Sequence, residues 1–209
     1  MITRARRAAP KEGGRASGAR HAPVRLITVP LDMSAARAVS LTGVDEALLR
    51  GTRRALDGTV AVPVARALSL FGEHALGWMA LGAVGWVSGY RRREWVTGVA
   101  GTVAAHAAGV VVKRVVRRPR PMLPDVPALV STPSRLSFPS AHSCSTAAAA
   151  VGFGPLLGRP AMAGVTGLML VSRVLLGVHY PSDVVSGAAL GATVAAVVRR
   201  RSLPPSRRA

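Results

Sequence analysis

Cysteine is almost missing from this chain of 209 residues: Cys144 stands alone, which excludes an internal disulfide and leaves the redox compartment open. Lysine is nearly as scarce, with Lys11 and Lys113 set against 26 arginines. Acidic residues number nine against 28 basic ones, a formal net charge of +19. Beyond Glu94 the only acids are Asp125 and Asp183. That is too few carboxylates for a two-metal hydrolytic centre, so neither a metal nor a cofactor is expected. No G-x-S-x-G elbow is present, so acyl hydrolysis is not supported. The basic start also lacks a following apolar core, which a secretory signal needs.

What the chain does have is apolar length. Five stretches of about 15–18 residues carry few or no charges: 75–90, 95–112, 143–158, 161–178 and 184–198. Flanking residues extend most of them to a full membrane span. Gly187 and Gly191 have the small-xxx-small spacing that suits close helix packing in lipid. Trp78, Trp86, Trp95 and Tyr90 gather near the ends of the first two runs, as interfacial belts do. The arginines cluster mostly where apolar runs end, so they are read as juxtamembrane charge facing anionic lipid, not nucleic acid.

The predicted fold is all-α: a polytopic membrane helix bundle of about five transmembrane helices plus amino-terminal interfacial helices. Residues 1–25 are expected to be a disordered basic tail. Residues 26–73 form an interfacial helical segment, with helices over 45–57 and 59–71, the latter a possible partial insertion. Residues 74–199 form the transmembrane domain, and 200–209 a second basic tail.

Three motifs carry chemistry. The first runs from Lys113 through Arg120 and Pro121, where a chain that defaults to arginine spells lysine, hinting at a point charge. The second is Pro139-Ser140-Ala141-His142, opening a helix whose free N–H groups attract anions. The third is Ser172 to Asp183. It places Arg173 inside an apolar run, where a guanidinium costs about 2.5–3.5 kcal/mol, and sets His179 four residues before Asp183. The plain alternatives are a snorkelling arginine, an interfacial histidine, and Ser140 and Asp183 as helix caps. Counting spans in an antiparallel bundle puts all three motifs at one membrane surface, as an electropositive cup suited to phosphate. His74 and His106 match no motif, and core or interfacial packing is expected of them.

These signatures, K-x6-R-P, P-S-G-H with Ala141 in place of glycine, and S-R-x5-H-x3-D, resemble the type 2 phosphatidic acid phosphatase family of membrane lipid phosphatases. Vanadium haloperoxidases and certain bacterial acid phosphatases share that site. The resemblance covers roughly residues 45–199. It implies that His179 is the nucleophile, forming a phospho-histidine, and that Asp183 hydrogen-bonds its other ring nitrogen. It implies that His142 is the general acid and then base. Lys113, Arg120, Arg173, Ser140 and the amide of Ala141 are implied to hold the phosphoryl oxygens. The methyl of Ala141 is harmless if the local φ is negative.

The expected function is hydrolysis of a lipid phosphate in a bacterial cell membrane, with the bilayer and its lipid as partners and the oligomeric state open. Substrates implied are phosphatidate, phosphatidylglycerol phosphate, a polyprenyl phosphate or diphosphate, or decaprenylphosphoryl phosphoribose. The last is implied by the resemblance, through short family members in actinobacteria, a source that the arginine-, alanine- and glycine-heavy composition suggests. The rivals are a catalytically silent transport or structural protein with a relic site, and a haloperoxidase, disfavoured by the apolar runs. Arginines at 91–93, 159 and 199–201 lean the site away from the cytoplasm.

Overall fold

The computed structural model describes residues 33–203, with side chains from residue 42. The expected disordered tail over 1–25 and the last six residues lie outside that range. Seven α-helices carry the described chain: α1 (Met33–Leu56), α2 (Ala61–Gly72), α3 (Leu76–Val87), α4 (Arg92–Val116), α5 (Ala141–Leu157), α6 (Arg159–Leu175) and α7 (Pro181–Ser202). No strand occurs among the described residues, only two isolated bridges within the loop between α4 and α5. The fold is the all-α bundle expected of the apolar runs. By length and composition three helical units can each cross a membrane: Ala61–Val87, Arg92–Val116 and Pro181–Ser202. The other two apolar runs became α5 and α6, each of 17 residues. At 1.5 Å per residue they are about 25 Å long, shorter than the hydrocarbon core. Both stop at the level where the three motifs meet, which leaves a recess there.

The first apolar unit differs from expectation. The segment 59–71, expected to be a separate interfacial piece, is the upper half of the first membrane unit. It joins α3 through a short turn, Glu73–Ala75, in which His74 (φ 49°) and Ala75 (φ 62°) are left-handed. Non-glycine residues rarely adopt that conformation, and each costs on the order of 1–3 kcal/mol. The suggested boundary at residues 73 and 74 therefore falls inside a broken helix. Helix α1 lies across the site end of the bundle, its Leu49 clustered with Val126, Val174 and Val184. Arg50 ion-pairs with Asp125 and Arg53 donates to the Pro127 carbonyl, so α1 pins the long loop.

Two tryptophans also depart from the interfacial reading. Trp78 and Trp95 are buried with Phe153 and Met162 in the core. With so few aromatics in the chain, the rings fill the widest gaps between small side chains, and the Trp78 indole donates to Thr146 Oγ1. Trp86 and Tyr90 remain exposed near the far end. Helices α4, α5 and α7 form the inner layer, with Cys144 packed among Ala105, Ala148 and Ala195 as a small apolar residue. Glycine makes that layer possible. A Cβ at Gly191 would run into the backbone carbonyl of Cys144, and one at Gly187 would sit 2.5 Å from the Ser140 carbonyl. We expect Gly191→Val to lower the thermal unfolding temperature in detergent, by a loss of about 1–3 kcal/mol. Gly164→Ala, where a Cβ meets nothing within 4 Å, leaves that temperature unchanged or raises it.

Candidate active site

Helix α4 ends because Arg117 is left-handed (φ 56°), turning the chain out of the bundle so that Arg118 and Arg120 fold back over it. The loop closes on itself through Arg120 N–H to the Arg135 carbonyl and Ser137 N–H to the Arg118 carbonyl. Pro139 and Ser140 then deliver the start of α5. Beneath this loop is a cavity of about 590 Å³. Lys113, Arg120, Ala141, His142, Arg173 and His179 all line it, so the three sequence motifs do meet at one end of the bundle. Ser140 and Asp183 stand just behind the wall, both 0% exposed.

The three cations are held by uncharged groups. Lys113 Nζ donates to the carbonyls of Leu136 (3.0 Å) and Ser137 (3.2 Å), which leaves one of its three donors for the cavity. Arg120 donates to the Ser134 carbonyl (2.7 Å) and the Val178 carbonyl (2.6 Å). Burial lowers the pKa of that guanidinium to about 10, so it stays charged at neutral pH. Arg173 is 1% exposed and donates to Ser69 Oγ at 2.7 Å, while its Nε has no partner. None of the three forms an ion pair among the described residues. A buried guanidinium without a carboxylate is unfavourable on its own. An anion at the centre of this cup would satisfy all three.

His179 lies in the turn between α6 and α7, 1% exposed. Its Nε2 is 3.2 Å from Arg120 Nη1. Arginine has no acceptor, so Nε2 must offer its lone pair and the ring proton sits on Nδ1. Burial, then the cations Arg120, Arg173 and Lys113, hold the ring well below its ordinary pKa, so it is neutral at pH 7. The expected hydrogen bond to Asp183 is not made: Nδ1 is 3.7 Å from Asp183 Oδ2 and has no partner. Asp183 is already committed elsewhere. Its Oδ1 accepts from Arg118 (2.9 Å), and its Oδ2 accepts from the Tyr180 N–H (2.9 Å), capping α7.

His142 stands at the start of α5, and its Nε2–H donates to the Ser69 carbonyl at 3.0 Å. A Cβ on Gly72 would come within 2.7 Å of this ring, so only glycine lets α2 cover it. Ser140 Oγ accepts from Ser143 N–H and Ser143 Oγ–H, which makes it the α5 N-cap. Ala141 is the first residue of α5 and is not among the positive-φ residues, so alanine in the glycine position brings no backbone strain.

Three residues in contact with the site escaped the motifs. Ser69 of α2 touches both Arg173 and His142. Arg118 bridges Asp183 and Asp45 of α1 and stacks on the Tyr180 ring at 4.2 Å. Asp45 also accepts from the Ser182 N–H and hydroxyl. The signal available for Asp45 was an acid in a chain with so few of them; Ser69 offered none. His74 and His106, expected to be packing residues, lie on the cavity wall.

The sequence model of the PAP2 superfamily matches residues 95–204. A decaprenylphosphoryl-5-phosphoribose phosphatase of Mycobacterium tuberculosis is 53% identical over 135 residues, covering 64% of this chain and 76% of the relative. One from Mycolicibacterium smegmatis is 53% identical over 145 residues, covering 68% and 81%. Among solved structures, a transmembrane PAP2 type phosphatidylglycerolphosphate phosphatase from Bacillus subtilis superposes with a TM-score of 0.67 at 20% identity, covering 83% of this chain and 92% of that one. Aquifex aeolicus LpxE gives a TM-score of 0.60 at 17% identity, covering 75% and 95%. These two likenesses concern the fold.

The buried neutral imidazole has a consequence for stability. The unfolded ring takes a proton near pH 6.5 and the folded one only well below it, so the unfolded state binds more protons in that window. Stability therefore falls as pH drops below about 6.5. We expect the unfolding temperature in detergent to decline from about pH 7 to about pH 5, and His179→Gln to flatten that slope. Equal slopes in both proteins would contradict a neutral buried ring.

Proposed function

This chain belongs to the PAP2 superfamily, and on that premise we propose that it is a metal-independent lipid phosphatase of a bacterial plasma membrane, working through a phospho-histidine. The observation that carries the reading is the cup itself: three cations without a carboxylate partner face an imidazole whose Nε2 lone pair points among them. In the proposed reaction His179 Nε2 attacks phosphorus as the ester P–O bond breaks. His142, doubly protonated once the phosphate anion occupies the cup, gives the departing alkoxide its Nδ1 proton while Nε2–H stays on the Ser69 carbonyl. Water then attacks the phospho-histidine, losing a proton to His142, and releases inorganic phosphate with the ring restored. Lys113, Arg120, Arg173 and the Ala141 amide hold the phosphoryl oxygens. Ser140 aims that amide by capping α5. Asp183, 3.7 Å from Nδ1, stabilises the positive charge that the ring gains on phosphorylation.

The substrate we propose is a polyprenyl-linked sugar phosphate of the kind for which the mycobacterial relatives are named. Helix α1 closes the site from outside by bracing Arg118, which positions Asp183.

Purified protein in detergent, given a panel of lipid phosphates, tests this directly. Phosphate release is expected from decaprenylphosphoryl-5-phosphoribose ahead of phosphatidate and phosphatidylglycerol phosphate, with the rate unchanged by EDTA and suppressed by vanadate. Folded protein that releases phosphate from none of them would leave a relic site in a transport or structural protein. In the same assay His179→Ala is expected to lose at least about a thousandfold in kcat with unchanged unfolding temperature at pH 7.5 or so. Asp45→Ala, which touches no reacting atom, should lower kcat about tenfold while leaving KM in place.

A further inference from the structure

The cavity has a second polar wall that the phosphoryl cup does not use. Glu73 and His74 come from the break between α2 and α3, and His106 comes from α4. The His74 and His106 rings are 6.3 Å apart, and His106 Nδ1 is buried without a hydrogen-bond partner. The Glu73 carboxylate makes no hydrogen bond or ion pair among the described residues. His106 precedes Lys113 by seven residues on the same helix, two turns or about 10 Å deeper into the bundle. Polar side chains at that depth are costly in lipid, and so is the left-handed backbone that turns Glu73 and His74 toward the cavity.

The chemistry of this wall narrows its ligand. Among the described residues no group of histidine and acidic side chains converges as a metal site requires, so the trio does not read as a metal centre. A carboxylate repels a second phosphate joined directly to the scissile one, as in a diphosphate, and finds no donor on the ester groups of a diacylglycerol. It accepts readily from hydroxyl groups, and an imidazole can both accept and donate to them. A vicinal diol is satisfied by such a set. The wall lies on the membrane-interior side of the cup, where the portion of a lipid substrate next to its terminal phosphate must rest.

We propose that Glu73, His74 and His106 form a hydroxyl-recognising subsite that binds a sugar ring carrying the scissile phosphate. The proposal rests on the lipid phosphatase reading above and adds what selects the substrate. The broken helix is then the specificity element: the same segment covers His142 through Ser69 and presents Glu73 to the sugar.

The test uses the full-length protein and two substrates, a polyprenylphosphoryl ribose 5-phosphate and its 2,3-dideoxyribose counterpart. Wild-type kcat/KM is expected to drop about tenfold to a hundredfold when the hydroxyls are removed. Glu73→Ala and His106→Ala should lose that preference, by slowing the ribosyl substrate while leaving the dideoxy one unchanged. Glu73→Gln, which keeps an acceptor, should retain part of it. Wild type that treats the two substrates alike, or variants that slow both equally, would overturn the subsite and leave the phosphatase reading standing. Wild type inactive on both would overturn the phosphatase reading instead. The subsite is then judged by whether the ribosyl lipid outcompetes the dideoxy lipid in binding to the protein.

Discussion

Unpaired positive charge in a place where water is scarce is the constraint on which this structure depends. Arg173 is nearly inaccessible, reaches only a serine hydroxyl with its terminal nitrogen, and has no carboxylate in ion-pair contact. Lys113 and Arg120 are tied to backbone carbonyls, which orient them without neutralising them. Had the cup supplied its own carboxylates, it would be stable and inert. Asp183 and Asp45 instead bind Arg118 on the outer side, and Glu73, on the cavity wall, makes no ion pair with the three cations. The negative charge of the two aspartates supports the structure around the histidine without entering the space between the three cations.

The scaffold is arranged to hold that charge in register. Two short helices, α5 and α6, end at the cup, so their terminal residues and not their faces make its floor. Glycines in α7 bring Asp183 and His179 against the start of α5 at backbone distance, and Ser140 N–H donates to the Asp183 carbonyl at 3.0 Å. The broken α2–α3 unit lines the remaining side. Most of the cup is thus built from helix ends and the turns beside them, where backbone groups are free to bind and side chains converge.

Much of this was legible in the chain. Apolar runs separated by arginines dictate the helices, because a buried backbone in lipid must satisfy itself. The odd placements of Lys113, Arg173 and His179 marked the cup, because each departs from what composition or burial favours. Parity of spans brought the three motifs together before any coordinate did. Less visible were contacts whose sequence signature is generic. Ser69 is a serine in an apolar helix, and nothing in its neighbours distinguishes it. Asp45 and Arg118 pair across 73 residues, beyond any local pattern. Trp78 and Trp95 look interfacial by position, yet neighbouring small residues leave them core space.

The sequence by itself determined the helix count, the end of the bundle at which the chemistry sits, and the residue types that meet there. Those follow from hydrophobic length and from charges too costly to bury without purpose. Only the tertiary structure decided which groups touch. It committed both oxygens of Asp183 away from His179, showed Ala141 to be free of strain, and turned Glu73, His74 and His106 into one wall. Such outcomes depend on where helices stop and how closely they cross. Side-chain volume and backbone dihedrals set those distances jointly, across segments far apart in the chain.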